Sequence, residues 1–364
     1  MRRGAVPTSG EQTETTVVGE PLAVTTAPAM DEPRARRILA GWGARQTRAT
    51  GVVVAVIVIG VGFLVPSMVG TYYSGVAVSA AILGVYALSV AYLAGELGLF
   101  SLGNTAFYGT AGYCLAITTT QLHWSLGLAL LAAVLSGTVL SLLVGAIVVR
   151  SRGVTFLMLT LAFGQLAYQV VLLNGLQGVT GGYNGVEVAL GSGLPGLPAS
   201  AIADPTQFWK VAWIILVLAV IAVTLLKRSR FGRLLKAIES NEERVRFSGY
   251  DTYRPRLIAF VVSGVLASVA GVLSAMFISE VSASPLDFAA AGNALIAAIV
   301  GGVQTALGPA VGGGIYSGFE GILNSGANLQ LWLGILLILA VVFARGGVVG
   351  AVVAAARRIK DRMR

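Results

Sequence analysis

Charge is scarce in this chain. Only 11% of its 364 residues are Asp, Glu, Lys or Arg, against about 25% in an ordinary soluble protein. Cysteine and histidine are scarcer still, with Cys114 and His123 standing alone. A single cysteine excludes an intrachain disulfide, and one of each leaves neither a zinc cluster nor a Cys/His nucleophile pair. No G-x-x-x-x-G-K-[ST] phosphate loop occurs, so ATP is not expected to bind here. With no Cys/His/carboxylate cluster, no catalytic residue, metal or cofactor is expected and a membrane enzyme is disfavoured.

What is present is apolar surface. Hydrophobic residues make up 56% of the chain and the mean hydropathy is +0.82. Most of these residues have lipid as solvent, where the backbone must satisfy its own hydrogen bonds as helix or closed barrel. The apolar runs are long and continuous, without period-two alternation, so helices are expected. The 25 basic residues exceed the 16 acidic ones by nine. A nucleic-acid partner is one reading of that balance. Basic loops on the cytoplasmic side of a membrane protein explain it better.

Residues 1–47 are rich in Thr, Pro, Glu and Arg and read as a disordered cytoplasmic tail. No apolar core follows Arg2 and Arg3 closely, so a cleaved signal peptide is not expected. The membrane-spanning body runs over 48–345, with a basic cytoplasmic tail at 346–364. Its apolar runs are Gly51–Val69, Gly75–Ala94, about Asn104–Thr119, Trp124–Val149, Val154–Leu173, Trp209–Leu226, Leu257–Ile278 and Leu329–Phe343. Two shorter Gly-rich pieces lie at 290–302 and 308–324. Residues 174–206 form a long Gly/Pro/Ser loop without Lys or Arg, whereas 227–256 carries nine basic and four acidic residues. If Arg45 and Arg48 are cytoplasmic, alternate crossings place every basic cluster on that side. The expected fold is therefore all-α: a polytopic helical membrane protein of about ten membrane elements, some Gly-broken or re-entrant, with both termini cytoplasmic.

The 227–256 loop has internal structure. Phe231, Leu234, Leu235 and Ile238 recur at i, i+3, i+4, i+7, which makes one apolar face on a short helix. Ser240 and Glu243 have capping-box spacing and would start a second helix at Asn241; Gly249 is placed to end it. A compact protruding element of this kind is expected to dock a cytoplasmic partner.

Ionisable residues within the apolar runs are functional candidates by default. Glu96, Asp287 and Glu320 qualify, although each is near enough to a run's end to reach an interface. Ser101, Asn104, Thr105, Thr110, Thr160, Gln165, Gln169 and Asn174 are polar, and together would line a path for an uncharged or zwitterionic solute. The segment 95–113, GELGLFSLGNTAFYGTAGY, breaks the apolar pattern with five glycines. A second Gly-interrupted segment spans 292–326. Paired interruptions in two halves of a membrane protein point to a transport site.

Five strings in order resemble one family. GELGLFSLGNTAFYGTAGY is similar to G-x-x-S-L-G-[HN]-x-x-[FY]-x-G-x-G-A-Y at Gly98, Ser101, Leu102, Gly103, Asn104, Phe107, Gly109 and Tyr113. RSRGVTFLMLTLAFGQ (150–165), VTGGYNGV (179–186), SRFGRLLKAIESNEERVRFSGYD (229–251) and GGVQTALGPAVGG (301–313) resemble its other segments. The family is the LivM-type permeases of bacterial branched-chain amino acid ABC importers, and the resemblance covers roughly residues 70–345. Departures are few: Ala111 and Gly112 reverse the usual order, Glu239 and Ser240 stand where a basic then an acidic residue is usual, and Gln304 replaces a glycine.

The resemblance implies a transport subunit that makes and breaks no covalent bond, in the bacterial inner membrane. Its partners would be a second, LivH-like permease, two cytoplasmic ABC ATPases and an extracytoplasmic solute-binding protein. Phe231, Gly232, Arg233, Ala237, Ile238, Glu242 and Gly249 would belong to the ATPase-coupling loop. Glu96, Ser101, Asn104, Thr160, Gln165, Thr180 and Asn184 are the candidates for the translocation path. Gly98, Gly103, Gly109, Gly301, Gly302, Gly308 and Pro309 are the expected structural positions. Branched-chain amino acids are the expected cargo. Urea, short amides or another small solute are the alternative, and a stand-alone secondary transporter or channel is disfavoured. On the topology count, the 98–103 turn lies near the cytoplasmic end, which makes Ser101 and Asn104 candidates for an inner gate.

Overall fold

The computed structural model describes residues 70–191, 193 and 198–323, with isolated positions at 331, 332, 334, 335, 347, 349 and 350. The expected tail 1–47 and span 51–69 lie outside the described residues, as do most positions of the last span and of the basic tail. Five described helices are long and apolar enough to cross a membrane: α1 (Thr71–Leu97), α3 (Leu126–Val148), α4 (Gly153–Val171), α7 (Pro205–Arg228) and α10 (Tyr253–Ile278). The 17-residue α2 (Asn104–Thr120) sits among them. The two Gly-rich pieces are helices α11 (Phe288–Gly301) and α12 (Gly308–Leu323).

Several expectations are corrected in detail. The 174–206 loop is not featureless: it holds α5 (Gln177–Thr180), β1 (Val186–Glu187) and α6 (Ala199–Ala203). The strand β1 pairs antiparallel with β2 (Glu280–Val281), with Val186 opposite Val281. These two-residue strands are the only β structure among the described residues. In the charged loop, α8 (Arg230–Ser240) and α9 (Glu242–Phe247) do form, but without the capping box. Asn241 caps α9 instead, accepting from the Arg244 N–H at 2.9 Å. The Ser240 hydroxyl turns back to the Ala237 carbonyl. A short amide side chain at N-cap satisfies the orphan N–H as well as a hydroxyl does.

Helix packing relies on small residues. The α10 helix lies against α2 and α3 along Ser263, Gly264, Ser268 and Gly271. A Cβ on Gly264 would overlap Ser141, and one on Gly271 would overlap the Tyr108 carbonyl. With no hydrophobic drive between helices in lipid, such close approach supplies the dispersion contact that holds them. Phe260 joins two neighbours edge-on, its ring 5.6 Å from Phe107 and 6.0 Å from Phe156. The outward rows of α3, α4 and α7 carry Leu131, Leu135, Leu143, Met158, Leu218 and Leu225, all exposed. Apolar rows this long suit a bilayer rather than water.

The bundle has two chemically different ends. At one lie the α1 C-terminus, the α3–α4 turn, the α7 C-terminus, α8, α9 and the α10 N-terminus, with the basic residues from Arg150 to Arg256 apart from Lys210. At the other lie β1, β2 and the residues before α11, with Glu187, Glu280 and Asp287.

Candidate functional site

The break in the apolar pattern is a sharp turn between α1 and α2. Gly98 has φ 65° and ends α1 in the left-handed conformation, which glycine adopts without a Cβ penalty. Gly103 precedes α2 and lies directly against the Thr160 carbonyl of α4, where a Cβ would collide. Asn104 then opens α2 at 1% exposure. Its amide nitrogen donates to Ser89 Oγ of α1 and to Ser263 Oγ of α10, both at 2.9 Å. Its Oδ1 accepts from Ser101 Oγ at 2.9 Å. Ser263 also donates to the Ser89 carbonyl at 2.8 Å, and Ser89 to the Tyr86 carbonyl at 2.7 Å. Thr160 Oγ1 accepts from the Leu102 N–H at 3.3 Å. One turn is thus pinned to α1, α4 and α10 by buried polar groups that satisfy each other.

A cleft of about 190 Å³ lies between this pin and the acidic end. Its walls come from α1, α2, α10, α11 and α12, with Ser79, Tyr86, Ser274, Asn293, Ser317 and Glu320 among its polar groups. A smaller pocket of about 120 Å³ adjoins it across Tyr108, Ser274 and Pro285. Tyr86 is 4% exposed, and its hydroxyl has no hydrogen-bond partner among the described residues. Its ring is tilted against that of Tyr108 at 4.9 Å. A buried tyrosine hydroxyl ordinarily finds a partner; the Tyr92 and Tyr113 hydroxyls share this state, and Tyr86 differs from them in lining the cleft.

The charged element is bolted to the opposite end of the same helices. The α8 stripe faces the membrane body: Leu235 and Ile238 are buried, and Phe231 and Leu234 are half-buried. The stripe therefore anchors the helix to the body. Lys236 Nζ donates to the Gly95 carbonyl of α1 at 2.6 Å. Lys227 Nζ pairs with Glu96 at 3.4 Å, so Glu96, 5% exposed, ties α1 to α7. Gly232 packs on the Lys227 and Leu226 carbonyls in the α7–α8 turn. Glu242 takes Arg152 at 3.0 Å, Arg256 at 3.3 Å and the Thr252 hydroxyl at 2.9 Å. It therefore clamps α9 to the α3–α4 turn and to α10. Outward-facing are Arg233 and Ala237, whereas Glu239 lies beside Gly98 and pairs with Lys236. Gly249, with φ 83°, turns the chain after α9. Phe247, 90% exposed, and Tyr250, 61% exposed, flank this turn.

The other expected path residues do not join the Asn104 cluster. Gln165 is half-buried midway along α4. Thr180 is buried at the acidic end, donating to the Val171 carbonyl at 2.7 Å, and Asn184 is exposed beside it. Gly109 lies against Leu286. Gly301, Gly302, Gly308 and Pro309 form the α11–α12 junction, where Gly301 and Gly308 meet backbone to backbone. Tyr86, Tyr108 and Asn293 were missed from the sequence; a tyrosine midway along an apolar helix is the signal that points to them. Among the described residues, no group of three or more His, Cys, Asp or Glu side chains is placed to hold a metal ion.

Comparison with known proteins settles the family. Residues 72–344 match the model of the branched-chain amino acid transport system / permease component family. The chain belongs to this family. It is 28% identical to the high-affinity branched-chain amino acid transport system permease protein LivM of Escherichia coli (strain K12), over 56% of this chain and 52% of that one. It is 33% identical to the LivH permease of Salmonella typhimurium, over 30% of this chain and 36% of LivH. It is 30% identical to the autoinducer 2 import system permease protein LsrC of Yersinia enterocolitica, over 40% of this chain and 44% of LsrC. The chain spans about half the length of the LivM relatives it matches. No solved structure matches it significantly.

Proposed function

We propose that the chain is the membrane-spanning permease subunit of an ABC importer for a small amine-bearing solute, branched-chain amino acids first among them. The observation that carries the proposal is that α1 and α10 each serve two sites. Near one end they line the cleft, through Ser79 and Tyr86 and through Ser274. At the other they seat the charged element, through Gly95 and Glu96 and through Thr252 and Arg256. Force applied to α8 and α9 is delivered to the cleft walls.

In this reading the charged end faces the cytoplasm, by the positive-inside rule. The α11–α12 pair enters and leaves the membrane, giving about ten elements with both termini cytoplasmic. One of the two ATPase subunits docks on Arg233, Ala237 and the Phe247–Tyr250 tip, with Glu242 and Gly249 holding that tip in position. A LivH-like permease completes the membrane pair in the bacterial plasma membrane, and an extracytoplasmic binding protein delivers solute to the acidic end. Nucleotide supplies the differential binding that shifts the pair between states. The cleft holds the solute, with Glu320 matching an ammonium group and Tyr86 and Asn293 offering polar contacts. The Ser101–Asn104 cluster is the inner gate. The match to LsrC supports a second cargo class, since that relative is named for a different solute.

The test is uptake of labelled leucine into proteoliposomes containing the permease pair, with and without the ATPases, with urea and acetamide as competitors. Uptake that requires the ATPases and is not displaced by either competitor is expected. Uptake indifferent to the ATPases would overturn the importer reading.

A further inference from the structure

At the charged end, the α3–α4 turn, the α9 helix and the start of α10 enclose a cleft of about 400 Å³ whose arginines the transport reading leaves without a ligand. Four guanidinium groups line it, those of Arg150, Arg152, Arg246 and Arg256, against one carboxylate, Glu242. That carboxylate is fully engaged. Its oxygens already take Arg152, both contacts from Arg256 and the Thr252 hydroxyl. Arg256 is 5% exposed and gives its second nitrogen to the Ser151 carbonyl at 2.8 Å. Arg150 lies over the Tyr253 ring, 5.7 Å from its centroid. Neither Arg150 nor Arg246 has an ion pair among the described residues. Four positive charges facing one another with a single counter-charge repel, and a bound anion relieves that repulsion. Guanidinium groups suit phosphate oxygens in particular, because their planar fork meets two oxygens at once.

The position selects the kind of phosphate. The cleft takes in the turn that joins α3 to α4, at Val149, Arg150 and Arg152. On the turns of α3 and α4 that lead into it the exposed apolar side chains are Leu143, Ile147, Val154 and Met158. A charged pocket bordered by an exposed apolar wall fits a molecule with an anionic head and acyl tails. Basic pockets between membrane helices on the positively charged side bind such headgroups. We infer that this cleft is a binding site for the phosphate headgroup of an anionic phospholipid. A lipid held there would brace the α3–α4 turn against the Glu242 clamp. The inference does not depend on the identity of the transported solute.

The experiment uses the purified permease complex in zwitterionic detergent micelles doped with phosphatidylglycerol or phosphatidylcholine, read by lipid retention in native mass spectrometry and by melting temperature. Phosphatidylglycerol is expected to be retained and to raise the melting temperature, and phosphatidylcholine to do neither. The double variant Arg150→Gln/Arg246→Gln is expected to retain phosphatidylglycerol about tenfold less or weaker still. Arg228→Gln, an exposed charge outside the cleft, should retain it as the native chain does. Equal retention by the double variant and the native chain would overturn the inference. So would an equal stabilisation by inorganic phosphate alone, which would make the ligand a free anion. Loss of lipid retention whenever the ATPases are bound would assign the cleft to protein contact and overturn it as well.

Discussion

Replacing Asn104 with alanine removes three hydrogen bonds from one buried point: those to Ser89, Ser263 and Ser101. The size of the effect follows from what each partner keeps. Ser89 still donates to the Tyr86 carbonyl, and Ser263 to the Ser89 carbonyl. Only the Ser101 hydroxyl loses the acceptor for its proton. Side-chain hydrogen bonds between membrane helices average about 0.6 kcal/mol, with a ceiling near 1.7, so three give roughly 2 kcal/mol. One orphaned donor does not push the sum to three bonds at that ceiling, about 5 kcal/mol. Asn104→Ala should therefore destabilise the permease by about 2 kcal/mol in denaturant-induced unfolding in mixed micelles. Paired with Ser263→Ala in a double-mutant cycle, it should show a coupling of at least about 0.5 kcal/mol, because the two residues are in contact. A destabilisation below about 0.5 kcal/mol, or strict additivity with Ser263→Ala, would refute the view that this amide pins α1, α2 and α10 together.

Four other outcomes are expected. Gly103→Val should lower the melting temperature sharply, since its Cβ meets the Thr160 carbonyl, a backbone atom that cannot rotate away; overpacking of this kind costs about 1–3 kcal/mol or more. Glu242→Gln should destabilise the charged element by about 3–5 kcal/mol, by leaving the buried Arg256 without its carboxylate, whereas Phe247→Ala should leave melting unchanged but weaken ATPase retention in pull-down. Glu320→Gln should keep melting and ATPase retention intact while raising the KM for a zwitterionic solute, measured by initial uptake rates; an unchanged KM would remove Glu320 from the solute site.

The long helices were legible in the sequence because their apolar runs exceed the length a bilayer demands. Their ends were not, and the misses share a cause. Leu257 was expected to open α10, which begins at Tyr253. Arg254 and Arg256 hid that turn, yet Arg256 is buried against Glu242 and Ser151. Similarly, Asp204 caps α7 before Pro205, ahead of the expected Trp209, because a polar first turn is still helix. Hydropathy finds where lipid contact begins, and helices run on past it. The charged element was legible as two short helices, but the direction of its apolar stripe was not. Periodicity assigns a face and leaves open whether that face meets the protein's own body or a partner. The Asn104 pin was half legible. The polar cluster of Ser101 and Asn104 stood out locally, but Ser263, 159 residues away, became a partner only through packing. The cleft was least legible, because its walls come from five helices and none carries a dense motif.

The order of features along α1 leads to one more outcome. The helix rises about 1.5 Å per residue. Ser89, held by Asn104, is therefore only about 5 Å along the axis from Tyr86 in the cleft, and about 9 Å from Gly95, where Lys236 is seated. The pin thus lies between the docking seat and the cleft. Movement of α1 driven from α8 either carries α2 and α10 with it as one block or breaks the pin. In a gate the bonds must exchange during each cycle, and serine-to-amide bonds of about 0.6 kcal/mol are weak enough to do so. A covalent bond in their place is not. In a chain with Cys114→Ser, the oxidised pair Ser89→Cys/Ser263→Cys should stop uptake, and reduction should restore it, while solute protection of the cleft against Tyr-directed labelling persists in both forms. Mass spectrometry establishes that the disulfide has formed. Full uptake by the oxidised protein would mean that α1 and α10 travel together, which would take the gate away from Asn104 and leave the Gly103–Thr160 contact with α4 as the interface that yields.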